Sequence, residues 1–245
     1  MAKYSSANCA FFLVDGLNLL GYSTEMSDEV EALTEEGMTL GDVWPEPLPV
    51  GVKNAALTQT GWYDDATNAT NQAFSGATST NRVVCLGYEG NTIGEAMTGF
   101  AGTYASKYTR IATRNQLHKA TAAYRISGAS DTGVILHTLT QEAGDGNTEG
   151  ASSVDNTAST AAGAVGYLQV SAITLSGRPN VVMKIRHSAD DVTYADLITF
   201  TAIAAIGAER ATAAGTINRH LATSWAWGGA GGSPVVTFTI GCARG

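Results

Sequence analysis

The segment Thr34–Asp65 reads TEEGMTLGDVWPEPLPVGVKNAALTQTGWYDD. It opens acidic, passes three prolines spaced by two (Pro45, Pro47, Pro49), alternates through Val52, Ala55 and Leu57, and ends in an aromatic-acidic corner, Trp62-Tyr63-Asp64-Asp65. Each proline removes a backbone donor and fixes φ, which forbids helix and central strand at those positions. The segment from about 28 to 50 is therefore expected to be an extended, exposed arm. Its start, Asp28–Leu33, reads as one helical turn or as a strand. Val52–Gly61 reads as a strand. Nothing in the stretch has the form of a catalytic motif.

The composition of the whole chain favours many short strands. The chain has 245 residues, 44% hydrophobic and only 15% charged, with 28 glycines. Thr and Val favour pleated, half-buried surfaces and Gly favours turns. Few charges suit a surface that associates with copies of itself. The net charge is −8, and residues 1–50 carry it all: nine acids (Asp15, Glu25, Asp28, Glu29, Glu31, Glu35, Glu36, Asp42, Glu46) against Lys3. The basic footprint of a nucleic-acid binder is missing. An acidic segment of this kind serves either as a solvated, solubilising loop or as a wall along which DNA slides without sticking.

Strand signals continue along the chain. They lie at 11–14 and 17–22, flanking an Asp15-Gly16 turn signal, and at 82–88, 96–111, 120–126 and 134–139. The last third alternates most cleanly, at 167–173, 181–187, 194–201, 209–213, 218–227 and 235–240. In 181–187, Val181, Met183, Ile185 and His187 share one face. Asp65–Phe74 is the best helix, capped by Asp64 or Asp65 and ended by Gly76. Residues 141–163 are polar, without apolar rhythm, and read as a surface loop or linker. The expected fold is all-β: a β-sandwich or barrel with one short helix over 1–128, then a second, jelly-roll-like β-sandwich over 129–245.

No catalytic, cofactor or metal residues emerge. The three cysteines, Cys9, Cys85 and Cys242, have no metal or redox spacing, and the latter two sit in strand-like runs as small core residues. The four histidines, His118, His137, His187 and His220, are isolated. His187 with Asp190-Asp191 lacks the ligand spacing of a calcium loop, and the aspartates read as hairpin-turn residues. Asp64-Asp65 reads as a helix cap. Gly228–Gly232 lacks the lysine of a phosphate loop and reads as a hairpin tip. Trp225 and Trp227 share a face and serve as core, as an interface anchor or as a sugar platform. The apolar run Cys9–Val14 is too short for a signal peptide's core or a membrane span. The expectation is a protein made in a reducing cytoplasm that leaves its cell by lysis.

The stretch Thr34–Asp65, with its threonine, Leu40-Gly41-Asp42, Trp44, proline-glycine step and alternating strand ending Gly61-Trp62-Tyr63-Asp64-Asp65, resembles the major tail (tail tube) proteins of long, non-contractile phage tails. The second half, through VVMKIRHSADDVTYADLITF, GTINRHLATSW and VTFTIG, resembles jelly-roll modules of phage structural and carbohydrate-binding proteins. The first resemblance implies a virion structural protein, not an enzyme. It is expected to partner itself in trimeric or hexameric rings stacked into a tube, to meet other tail proteins, and to touch passing DNA only through non-sticky contact. No cofactor and no membrane are implied, and the expected location is the virion tail, assembled in the host cytoplasm. The second resemblance leaves a carbohydrate-binding adhesin or a capsid-decoration protein as the alternative.

Overall fold

The computed structural model describes residues 5–37, 46–74 and 81–245. Sixteen strands fall in two sheets: β1 Phe11–Val14, β2 Leu17–Asn18, β3 Ser23–Gly37, β4 Glu46–Trp62, β5 Arg82–Gly87, β6 Ala96–Ile111, β7 Lys119–Ile126, β8 Ser130–Ala143, β9 Gly146–Asn147, β10 Val154–Asp155, β11 Ala164–Thr174, β12 Val181–Ser188, β13 Ala195–Thr199, β14 Gly207–Ala213, β15 His220–Trp227 and β16 Val235–Arg244. Among the described residues the single α-helix is α1, Thr70–Phe74. An eleven-stranded sheet runs β14-β11-β16-β8-β6-β5-β1-β2, with β7, β4 and β3 branching from β6; a five-stranded sheet holds β10, β15, β12, β13 and β9. The larger sheet ends at β14, β2 and β3 rather than closing on itself.

The branch point has a local cause. Residues 119–126 pair with 111–103 of β6, and residues 130–134 then pair with 100–96 of the same strand. Between them the ladder breaks where Gly102, at φ +67, faces Gly128 so closely that a Cβ there would meet the Gly128 backbone nitrogen at 2.7 Å. β7 carries the sheet on to β4 and β3, whereas β8 carries it to β16, β11 and β14.

In the second half, β14, β11, β16 and β8 stack on the five-stranded sheet. Their inner faces interleave in one core, including Leu168, Val170, Phe238 and Ile240 against Met183, Ile185, Leu221 and Trp225. Two facing sheets with interleaved inner faces are packed as in a β-sandwich. In the first half, β4, β7, β6, β5 and β1 present Leu57, Tyr124, Ala105, Val84 and Phe12 to a separate core, closed from outside by Ala73 and Phe74 of α1. The mostly β, one-helix architecture matches the sequence reading.

A third cluster joins the halves: Phe11, Leu13, Cys85 and Met97 meet Ile135 and Tyr167. Gln169, fully buried, fastens this seam. Its Oε1 accepts from the Gly16 N–H at 2.7 Å, and its Nε2 donates to the Val83 carbonyl at 3.0 Å. Gly16 belongs to the two-residue Asp15-Gly16 turn, with φ 49 and 85, the doubly left-handed turn that such dipeptides favour in hairpins.

Several expectations change. Asp28–Leu33 is strand, part of β3. Pro47 and Pro49 lie within β4, paired with Glu36 and Thr34 of β3. They are tolerated because this part of β4 has β3 on one side only: pairing with β7 begins at Ala55. Residues two apart present their nitrogens to the same edge, so the two prolines leave donors missing on one edge only. Pro45 and the rest of 38–45 lie outside the described residues, as does Gly76. The helix is shorter than 65–74 because Asn68 sits at φ 65, a left-handed conformation that a right-handed helix excludes. Residues 141–163 are no linker. β9 and β10 pair with β15, and Thr148 is buried with its N–H on the Thr223 carbonyl. Backbone pairing, not apolar rhythm, holds them. Gly228–Gly232 is not a hairpin tip, because it joins β15 in one sheet to β16 in the other.

Candidate assembly surface

The strands β3, β4, β7 and the second half of β6 form a four-stranded sheet with one buried face and one bare face. Ala55, Leu57, Gln59, Ala120, Ala122 and Tyr124 point inward and are buried. The outward rows follow from the register: Glu29–Ala56–Arg125–Tyr104, Ser27–Thr58–Ala123–Lys107, Glu25–Thr60–Thr121–Thr109 and, at the end, Trp62–Lys119–Ile111. Small residues fill the middle of this face. No helix or second sheet is recorded over it among the described residues.

Among the described residues both lateral edges of this sheet are unpaired. β3 pairs with β4 alone, and β6 beyond Thr103 pairs with β7 alone. The edges differ in charge. On β3, Glu25, Asp28, Glu29 and Glu31 are exposed. Across the sheet, Lys107 and Arg110 are exposed on the edge strand β6, with Lys119 and Arg125 exposed on the neighbouring β7 and Arg114 in the turn between them, and the sequence from 96 to 130 contains no acid at all. One sheet therefore has an acidic edge and a cationic edge. Sequence reading found the acids; the cationic block was equally visible but offset by acids elsewhere in the charge balance of 51–245. Past Val30 and Ala55 the β3–β4 pair leaves the sheet as a free two-stranded ribbon. Tyr88 ties its base, donating its hydroxyl to Asp28 Oδ1 at 2.8 Å. Burial first, and then the Asp28 carboxylate, push the Tyr88 phenol well above its usual range.

The residues weighed in the sequence take ordinary structural places. Trp225 and Trp227 are 7% and 6% exposed, and both indole N–H groups donate to the Gly144 carbonyl at 3.0 Å. They are core, not a platform for sugar. Asp190 organises its turn by accepting from the Val192 and Thr193 N–H groups at 3.0 and 2.8 Å, and these bonds hold its carboxyl below the usual range. Asp64 accepts from the Ala66 N–H at 2.9 Å, making a turn ahead of α1. His137 stacks on Phe238 at 3.9 Å between ring centroids, and burial lowers its pKa. Burial pushes the Cys85 and Cys242 thiols up to about 12. Among the described residues no three His, Cys, Asp or Glu side chains gather as a metal site, and no helix is long and apolar enough to cross a membrane.

No family model matches the chain, and no curated protein matches it. Among solved structures it aligns with a chain from the virion of a native gene transfer agent particle, at 13% identity and TM-score 0.42 over 53% of this chain and 97% of that one. It also aligns with the Dit protein of SPP1, described as a paradigm of the hub adsorption apparatus in phages infecting Gram-positive bacteria, at 12% identity and TM-score 0.35 over 94% of this chain and 97% of that one. A third alignment is to the sheath–tube complex of an extracellular contractile injection system, at 9% identity and TM-score 0.37 over 51% of this chain and 87% of that one. These likenesses are shallow, and the functional reading rests on the chain's own surface.

Proposed function

We propose that this chain is a virion structural protein, the major tail tube subunit of a long, non-contractile phage tail, which self-assembles into stacked rings through which DNA passes. The observation that carries the reading is the four-stranded sheet with an acidic edge at β3 and a cationic edge at β6. Unpaired strand edges invite backbone pairing with another chain. Edges of opposite charge favour the contact of β3 on one copy with β6 on the next and disfavour like with like. Such a contact joins two different patches, and a heterologous contact that closes on rotation gives a ring. The bare sheet face, lined centrally by Thr58, Thr60, Thr121 and Ala123, becomes continuous around that ring. The division at 128/129 is part of the proposal: residues 1–128 build the tube and 129–245 form a separate sandwich, in keeping with their distinct cores.

Negative-stain microscopy tests this directly. Purified protein forms rings and tubes, and raising salt from 0.05 to about 0.5 M disperses them, because the edge charges are exposed and screened over roughly 10 Å or less. Deleting residues 34–50 leaves a folded protomer that no longer polymerises. Normal tubes from that deletion would remove the ribbon from the assembly contact. A wild-type protein that stays monomeric at every salt and concentration would end the proposal. The glycan-binding alternative gains nothing from the buried Trp225 and Trp227.

A further inference from the structure

The interior of the first half holds three polar atoms that meet no hydrogen-bond partner among the described residues: Arg82 Nε, Thr103 Oγ1 and the Tyr124 hydroxyl. Thr103 and Tyr124 are 0% and 1% exposed, and the Arg82 side chain is 12% exposed. They come from three neighbouring strands. Arg82 on β5 stands directly opposite Thr103 on β6. Tyr124 on β7 stands opposite Ala105, the next residue of β6 on the same face as Thr103. Side chains directly opposite each other in a ladder lie about 5 Å apart at Cβ, and diagonal neighbours about 7–8 Å, within reach of long side chains. The Tyr124 ring stands edge-on to Phe74 of α1, with 5.9 Å between centroids. Burial pushes the Tyr124 phenol well above its usual range, and the Arg82 charge is the largest influence pulling it back. Guanidinium and hydroxyl therefore share one interior.

We propose that these three groups form a binding site for one internal water molecule, which ties β5, β6 and β7 together. The donor inventory fits. The Arg82 Nε–H can only donate, whereas each hydroxyl donates or accepts. A water that accepts from Arg82 and bonds both hydroxyls satisfies all three at once, and about three hydrogen bonds is what a buried water makes. Left unpaired, each buried group carries the full cost of leaving solvent. A bridging water removes that cost for a small loss of its own freedom. A halide fits the charge less well. Asp15 Oδ2 already faces Arg82 Nη1 at 3.7 Å, and Asp15 Oδ1 accepts from the Val83 N–H at 2.9 Å. An added anion would leave net negative charge inside the protein, where unpaired charge is costly. The position has a structural use. Beyond Thr103, β6 pairs with β7 alone among the described residues. The water therefore fastens the last residue of β6 that has a strand on both sides, and this role does not depend on the assembly reading.

Two measurements on the full chain test the site. Thr103→Val, Tyr124→Phe and the double variant are compared with wild type in urea unfolding, and wild-type crystals grown with bromide as the halide show what the three atoms hold. The expected result is a midpoint lowered by about 0.5 M urea in each single variant. The double variant falls by less than the sum of the two, because the first substitution already releases the water. In the crystal, ordered density lies within hydrogen-bond distance of all three atoms and gives no bromide anomalous signal. Unchanged or raised midpoints in the single variants overturn the site, since removing a merely unpaired group costs nothing. Losses that add in full overturn a shared ligand. An anomalous peak between the three atoms overturns water in favour of an anion, and side chains that bond one another with no density between them overturn any ligand. The crystal decides alone should either variant fail to fold.

Discussion

The two halves of this protein are built from the same kind of strand and solve opposite problems. The second half folds its strands into two facing sheets, so that β11, β12, β15 and β16 bury one face in a shared core. Among the described residues, the first half buries one face of β4, β7 and β6 under α1 and leaves the other bare, with both edges unpaired and oppositely charged. A sandwich satisfies itself. In the function proposed above, a half-covered sheet with complementary edges is satisfied by copies of itself. The small side chains on the bare face, where a core would need Leu or Ile, show that this face is not a core awaiting a missing layer.

The seam between the halves is where this contrast is easiest to break. Gln169 reaches from the sandwich to hydrogen-bond both the Asp15-Gly16 turn and β5. Replacing it with Leu keeps the volume but strands the Gly16 N–H; the Val83 carbonyl retains the Asp15 N–H at 3.0 Å. A buried donor left unpaired costs about 1–3 kcal/mol. The expected outcome of Gln169→Leu is a loss of that size in urea unfolding, with the first half melting before the second. A single transition of unchanged midpoint would show that the halves do not depend on this contact.

Much of the fold could be read from residues. The Asp15-Gly16 dipeptide announced its turn, and the alternation of 181–185 announced the inner face of β12. Reading failed where a strand is buried on both faces. In β11, Leu168 and Val170 face the sandwich, while Tyr167 and Gln169 face the seam. Alternation cannot reveal two cores, and a glutamine in a strand looks like a solvent residue until its partners are known. His187 is only half-buried, its Nδ1 accepting from the Asn218 N–H at 3.2 Å at the end of β12, while Ser188 beside it is buried. The acidic half of the assembly surface was legible as a charge run. The cationic half was present in the sequence as an acid-free stretch from 96 to 130, but only the sheet shows that the two runs lie on opposite edges.

Acid should sharpen the contrast, because the histidines with lowered pKa lie in the sandwich. Burial holds His137 below its ordinary 6.5 despite the opposing pull of Glu142, 3.5 Å from its Nε2, and burial lowers His187 too. Between the folded pKa and 6.5 the unfolded chain binds more protons, so stability is full above pH 6.5 and falls as pH drops through that window. One such proton is worth at most about 1.4 kcal/mol per pH unit. His137→Phe keeps the stack on Phe238 and removes a buried Nδ1 that has no hydrogen-bond partner. The expected outcome is a shallower loss of unfolding free energy from pH 6.5 to 5 with no loss at pH 7. An unchanged slope would assign the acid sensitivity to His187 alone.

The smallest effect concerns the base of the ribbon. Tyr88→Phe removes the hydroxyl that donates to Asp28 and nothing else. Because Asp28 is exposed, water replaces most of what is lost, and global stability should change by less than about 1 kcal/mol. The local consequence differs. β3 is an edge strand held by β4 alone, so its opening is governed by few contacts, and a change of 1 kcal/mol there alters opening about fivefold. Hydrogen exchange at the β3 amides near Asp28 should accelerate by up to that factor, while the amides of β11 and β16 remain unchanged. Acceleration spread evenly through both halves would mean that the ribbon base unfolds only with the whole molecule, and the distinction between a self-sufficient sandwich and a loosely held, open edge would fail.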